Sequence, residues 1–273
     1  MNSPLFSTVE CLGYPLFVYK PWVDRGVVHG MTTLPLDLSD ASLHVASLGL
    51  SEAFEFDSLL LPRQNHGATV VSMLSDSDWS ARARDGVLLR GDEGDAVIAR
   101  SDRQPAETGG RAGRYAIGVR TADCVPMIIE GRSSDGAPVW ATIHAGWRGL
   151  ACGVIFQCLT EFSRRATPVT CVVFPCGGAE VYEVGGEVVE AIGTTAVFSP
   201  ADPKGSEDKF LLNLSTTAAK QLSDAAPGAT VVTADVCTIS ASVSSSSGKR
   251  SPLFHSYRRD GAKSGRNLTF VRL

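Results

Sequence analysis

Histidine is scarce in this chain, five in 273 residues, and the seven cysteines are odd in number and irregularly spaced. Five imidazoles are too few for a multicopper oxidase centre. An odd, unpatterned set of cysteines excludes a disulfide framework. It points instead to reduced thiols, with Cys11, Cys152, Cys158, Cys171 and Cys237 read as small buried hydrophobes. No apolar run reaches the length needed to span a bilayer. Residues 1–6 lack the basic-then-apolar pattern of a secretory leader, so a cytoplasmic protein is expected. A large excess of either charge is missing too: 25 basic against 29 acidic residues give a net charge of -4. That balance argues against a nucleic-acid-coating or membrane-binding surface. No G-x-G-x-x-G follows a strand, so a dinucleotide fold has no support. Gly248-Lys249 is no phosphate loop, because Val243 stands where its first glycine belongs and Arg250 where Ser or Thr belongs.

What is present is a mixture of short strands and helices. Apolar runs at residues 16–19, 27–31, 58–62, 95–99, 115–119, 127–129, 139–143, 170–174, 231–239 and 268–271 have the length and β-branched content of strands. A helix is expected from Asp40 to Gly49, another from Gly149 through Leu159, and others over 187–192 and 218–222. Residues 104–114 and the serine-rich 240–251 read as flexible loops. No repeat or linker divides the chain. The expectation is one α+β domain over residues 1–273, with mixed β-sheets covered by helices.

Two motifs organise the chemistry. Thr121-Ala122-Asp123-Cys124-Val125-Pro126 opens a buried strand, and the next strand ends at His144-Ala145-Gly146-Trp147-Arg148-Gly149. An antiparallel pairing of these strands would bring Cys124 beside His144. A third candidate, His66, sits in a turn between two strands. Two imidazoles and one thiolate suit zinc or copper, and three protein ligands leave a coordination position open, the mark of a catalytic metal. The spacing matches neither CxxC nor HExxH. The same residues also permit a metal-free reading. In it Cys124 is the nucleophile, His144 its base, Asp123 or Asp95 the orienting group, and Arg148 depresses the thiol pKa. The residues alone leave both readings open. Arg148, beside the start of a helix, would favour an anion, with Arg63 and Arg258 as further candidates.

The chain resembles the YfiH/laccase-domain family. The resemblance rests on Thr121-Ala122-Asp123-Cys124-x-Pro126, His144 to Gly149, Tyr182-Glu183-Val184-Gly185 and Ser256-Tyr257-Arg258-Arg259-Asp260, in that order. It implies a mixed α/β sandwich related in architecture to deamidase toxins. It implies metal ligands at His66, Cys124 and His144, with zinc as the metal and copper as the alternative. It further implies phosphorolysis of adenosine, inosine and methylthioadenosine to base and sugar 1-phosphate, and deamination of adenosine. The partners implied are a purine nucleoside and phosphate. Catalytic roles are expected for Cys124, His144, Asp123 and Arg148. Three positions depart from the family pattern: Leu34 after Thr33, Asn65 before His66, and Phe174-Pro175-Cys176-Gly177 in place of a Gly-Pro turn. These bear on specificity more than on the ligand set. The alternatives are a Cys-His thiol hydrolase or amidase editing cell-wall precursors, a copper-dependent polyphenol oxidase, and a non-catalytic metal-binding protein.

Overall fold

The computed structural model describes residues 4–73, 84–85, 87–100, 114–201, 208–244 and 248–273. Strands are numbered along the chain. One sheet has eight strands in the order β1 (Phe6–Cys11), β2 (Tyr14–Tyr19), β3 (His29–Thr32), β19 (Asn267–Arg272), β9 (Tyr115–Thr121), β4 (Ser58–Arg63), β7 (Leu88–Glu93), β6 (Arg84–Asp85). A second sheet has six, in the order β16 (Thr230–Thr233), β12 (Thr167–Val173), β10 (Val125–Arg132), β11 (Pro138–Ala145), β8 (Ala96–Arg100), β5 (Val70–Met73). Three short strands, β13 (Glu183–Gly185), β15 (Lys209–Leu212) and β14 (Phe198–Pro200), make a small third sheet, and β17 (Ser242–Ser244) pairs β18 (Arg250–Pro252). The helices are α1 (Lys20–Val23), α2 (Leu43–Phe54), α3 (Trp147–Cys152), α4 (Val154–Ser163), α5 (Gly186–Ile192), α6 (Leu214–Ala225) and α7 (Tyr257–Asp260).

The strands alternate between two cores, because successive side chains leave a strand on opposite faces. Leu60 of β4, Ile117 of β9, Ile128 of β10 and Val172 of β12 meet between the two large sheets. Met127 and Ile129, and Cys171 and Val173, face the other way, onto Ile155, Leu159 and Phe162 of α4 and Leu214, Ala218 and Leu222 of α6. Leu59, Leu61, Ala116 and Phe270 turn outward from the eight-stranded sheet onto Ala46, Leu50 and Phe54 of α2. The result is a helix–sheet–sheet–helix stack, in agreement with the mixed α/β sandwich expected. Strands buried on both faces carry near-continuous apolar runs, which is why 127–129 and 139–143 are legible as strands. Among the described residues, no helix is long and apolar enough to cross a membrane.

Several boundaries differ from expectation. Helix α2 runs through Gly49 to Phe54 and ends at Glu55, which adopts a left-handed conformation (φ 54). Gly49 has a packing reason instead: a Cβ there would lie 2.0 Å from the Tyr14 hydroxyl. The helix expected from Gly149 starts at Trp147, is interrupted by left-handed Gly153, and resumes as α4. Of the expected 231–239 strand only residues 231–233 pair in a sheet, as part of β16; Asp235 (φ 49) turns the chain away, leaving a single bridge between Cys176 and Cys237. The serine-rich segment holds the β17–β18 hairpin around residues 245–247, which lie outside the described residues. Of the loop expected at 104–114, residues 104–113 also lie outside them. Strand β1 is not among the expected strands.

Candidate active site and metal centre

The β10–β11 register pairs Val125 with Ala145 and Pro126 with His144. Cys124, one residue before β10, therefore stands beside the end of β11, as the motif order suggested. The turn after β4 delivers His66 to the same place. The three ligand atoms lie within 4.8 Å of one another. Cys124 Sγ is 3.9 Å from His66 Nε2, and the two imidazoles meet edge to face with centroids 4.8 Å apart. A tetrahedral zinc ion with Zn–N of about 2.1 Å and Zn–S of about 2.3 Å places its N and S ligands roughly 3.5 Å apart. The donor set and spacing fit such an ion after small side-chain rotations, with one position left for substrate.

Asp95 anchors the cluster. It is fully buried, and its Oδ1 lies 2.7 Å from His144 Nδ1. The same carboxylate accepts backbone N–H bonds from His66 (3.1 Å), Gly67 (2.8 Å) and Asn65 (3.3 Å). His66 sits at φ 63, a left-handed conformation costing a non-glycine residue about 1 kcal/mol or more. Asp95 thus fixes one histidine through its ring and the other through its backbone, and leaves His144 Nε2 for the cluster, the outer-shell arrangement of metal-binding histidines. Burial raises the Asp95 carboxyl, but the His144 hydrogen bond and charge and the turn amides outweigh it and hold it below the usual range.

Cys124 and His144 polarise each other. Burial pushes the thiol up, yet the His144 charge and hydrogen bonds from both imidazoles bring it down to about 6. Burial lowers His144, while the Cys124 charge and the Asp95 hydrogen bond lift it to about 9. Without metal, the two shifts run in the direction that favours a thiolate–imidazolium pair. Gly146 closes over it: a Cβ there would lie 2.9 Å from Cys124 Sγ and 3.1 Å from His66 Cδ2.

The cluster opens into a cleft of about 780 Å³. Five arginines line it, Arg63, Arg120, Arg148, Arg258 and Arg266. Arg120 is paired with Asp40 (2.7 Å), Arg63 is 3.8 Å from Glu93, and Arg266 donates to the Ser264 and Gly265 carbonyls. Arg148 and Arg258 differ. Their guanidinium groups lie over the rings of Trp147 (4.2 Å) and Tyr182 (4.4 Å), and among the described residues neither has a carboxylate in ion-pair contact. Burial pushes the Tyr182 hydroxyl up to about 12, so it stays protonated at the cleft wall.

Of the two aspartates considered for orienting His144, Asp95 makes the contact. Asp123 lines the cleft beside Cys124, but its oxygens accept bonds from Thr238 Oγ, Ser256 Oγ and the Arg258 amide. Cys176 is buried behind the site, its thiol pushed up by burial, and its bridge partner Cys237 accepts from the Gly178 amide. His29 and His255 serve structure: His29 accepts from the Tyr19 amide, and His255 Nε2 lies 3.0 Å from the Leu36 carbonyl. The signal for Asp95 was a lone aspartate at the mouth of an apolar strand, which does not reveal that four partners converge on it.

A family model described as "Multi-copper polyphenol oxidoreductase laccase" matches residues 37–273. A purine nucleoside phosphorylase of Aquifex aeolicus is 32% identical over 216 residues, 79% of this chain and 82% of that protein. A protein named adenosine deaminase RL5, from an unknown prokaryotic organism, is 29% identical over 235 residues, 82% of this chain and 79% of its own length. The crystal structure of the hypothetical protein YfiH of Bacillus licheniformis superposes with a TM-score of 0.72 at 20% identity, covering 94% of this chain and 96% of that one.

Proposed function

The chain belongs to the YfiH/laccase-domain family, and we propose that it is a metal-dependent purine nucleoside phosphorylase that also deaminates adenosine. One observation carries the reading: a three-donor cluster anchored by Asp95 is flanked by two aromatic-stacked arginines with no carboxylate partner. The names of the relatives supply the substrate class. His66, Cys124 and His144 would hold zinc. Zinc bound there supplies a Lewis acid that polarises a substrate atom placed at its open position.

The chain's own groups do the rest. Arg148 and Arg258 hold the phosphate, with planar guanidinium groups suited to paired oxygens. Stacking on Trp147 and Tyr182 keeps both groups in place before substrate arrives, which reduces the entropy cost of binding. In phosphorolysis a phosphate oxygen bonds C1′ as the C1′–N9 bond breaks, and the proton of hydrogen phosphate ends on the purine. In deamination a water oxygen adds at C6 and ammonia leaves. Asp95 stays ionised, holding the Nδ1 proton of His144.

Oxidation of phenols by a multicopper centre is not favoured. Of the five histidines, His29 and His255 are committed to backbone groups and His44 lies on the exposed side of α2, leaving His66 and His144 for metal. The thiolate–imidazolium pair keeps a metal-free thiol hydrolase as the second reading. The two separate in one assay. Metal-analysed protein is incubated with adenosine, with and without phosphate, and the products are resolved by chromatography. Phosphate-dependent release of adenine, lost in Cys124→Ala and His144→Ala, is expected. Inert nucleosides alongside cleavage of an amide library would sink the proposal.

A further inference from the structure

Asp123 occupies a costly position for which neither the metal nor His144 accounts. It is 3% exposed, and its φ of 88 is a left-handed conformation that disfavours a side chain. Its carboxylate is spent on three donors from elsewhere in the chain. Oδ1 accepts the Thr238 hydroxyl at 2.6 Å; Oδ2 accepts the Ser256 hydroxyl at 2.9 Å and the Arg258 backbone N–H at 2.7 Å. Ser256 in turn accepts the Arg259 amide at 3.2 Å, and the Arg259 guanidinium ties the Thr238, Ile239 and Phe254 carbonyls together. Thus the residue next to the metal-ligating cysteine sets where α7 begins. The first arginine of α7 lies over Tyr182 on the cleft wall.

We propose that Asp123 is a positioning residue for the anion site: it holds the Arg258 backbone so that the guanidinium faces phosphate at a fixed place beside Cys124. This rests on the phosphorolysis reading. A carboxylate accepts all three donors on its two oxygens. An amide has a single acceptor oxygen, so it keeps the Ser256 and Arg258 bonds only with its NH₂ turned onto the Thr238 hydroxyl, and those bonds lose their charge assistance. The bonds are charge-assisted, with those from Thr238 and Ser256 buried and that from Arg258 partly buried, so they fix geometry more tightly than neutral ones. Asp123 takes no part in proton transfer. Its effect passes through Arg258 to phosphate, leaving the metal ligands and the nucleoside untouched.

The test is a double-substitution cycle on the metal-loaded protein, read as KM for phosphate, KM for adenosine, kcat and bound metal. Asp123→Asn is expected to raise KM for phosphate at least tenfold, with KM for adenosine within twofold and metal content unchanged. Arg258→Gln gives a loss of similar size, and Asp123→Asn adds less than twofold on top of it. Thr238→Val removes one of the three bonds with little change in shape, and gives a smaller loss of the same kind. It carries the test should Asp123→Asn not fold. Calorimetric titration with inorganic phosphate repeats the comparison without turnover. If the parent protein cleaves no nucleoside, the phosphorolysis reading fails, while the titration still decides whether Asp123 governs phosphate affinity through Arg258. An unchanged phosphate affinity in folded Asp123→Asn or Thr238→Val overturns the proposal. So does a full multiplicative loss in the double variant, or a loss confined to kcat and metal content.

Discussion

At the scale of single residues, the three donors were legible and their anchor was not. His66, Cys124 and His144 announce themselves by type: imidazole and thiolate in turns between strands. Asp95 is one acid among 29 acidic residues, and only the fold shows that it serves two histidines at once. Its removal is accordingly informative. Asp95→Ala leaves the buried His144 ring and three partly buried amides without an acceptor, which costs about 3–5 kcal/mol of stability. It also weakens metal binding by roughly 10- to 100-fold; chemical denaturation and metal titration measure the two effects. The pH dependence has a definite sign. The folded Asp95 carboxyl is held below its ordinary value. Its contribution is therefore present above about pH 4 and is lost as pH falls through the folded value. For Cys124, thiolate absorbance in metal-free protein is expected to rise through about pH 6. In His144→Ala the largest lowering charge is gone and His66 alone is left to offset burial, so the same absorbance is expected to rise at a distinctly higher pH than in the parent protein.

At the scale of elements, the β10–β11 pair was readable because its two apolar runs are separated by a polar Gly-containing turn, and the register then had to bring Cys124 and His144 together. Where the reading failed, tertiary contacts had overruled local punctuation. Gly49 looks like a helix stop, but it is small to admit Tyr14. The serine-rich segment 240–251 looks flexible, yet β17 pairs there with β18. Gly146 lies in the turn from β11 into α3, and space there is limited by the cluster itself. Gly146→Ala is expected to keep the fold, seen as an unchanged circular dichroism spectrum. It should still lower metal affinity at least about tenfold, because the new methyl sits against Cys124 and His66. Metal retention after dialysis against a chelator checks it.

At the scale of the whole molecule, the mixed α/β character was evident from alternating strand and helix signals, but the layering was not. Which face of a doubly buried strand meets the other sheet, and which meets helices, depends on pairings between strands far apart in sequence; β19, the last strand, lies between β3 and β9. The stack separates stability from chemistry. Ile128, fully buried between the sheets, is four residues along the chain from Cys124. Ile128→Ala is expected to cost about 2–5 kcal/mol in unfolding free energy and to leave metal stoichiometry at the folded level. The central claim, that the Asp95-anchored cluster is a catalytic metal centre, is tested most directly by measuring adenosine turnover against bound metal. The protein is stripped by chelator and then given zinc in steps. Phosphate-dependent adenine release should be absent from stripped protein and rise in proportion to zinc up to one ion per chain. Undiminished turnover in protein proved free of metal would contradict it.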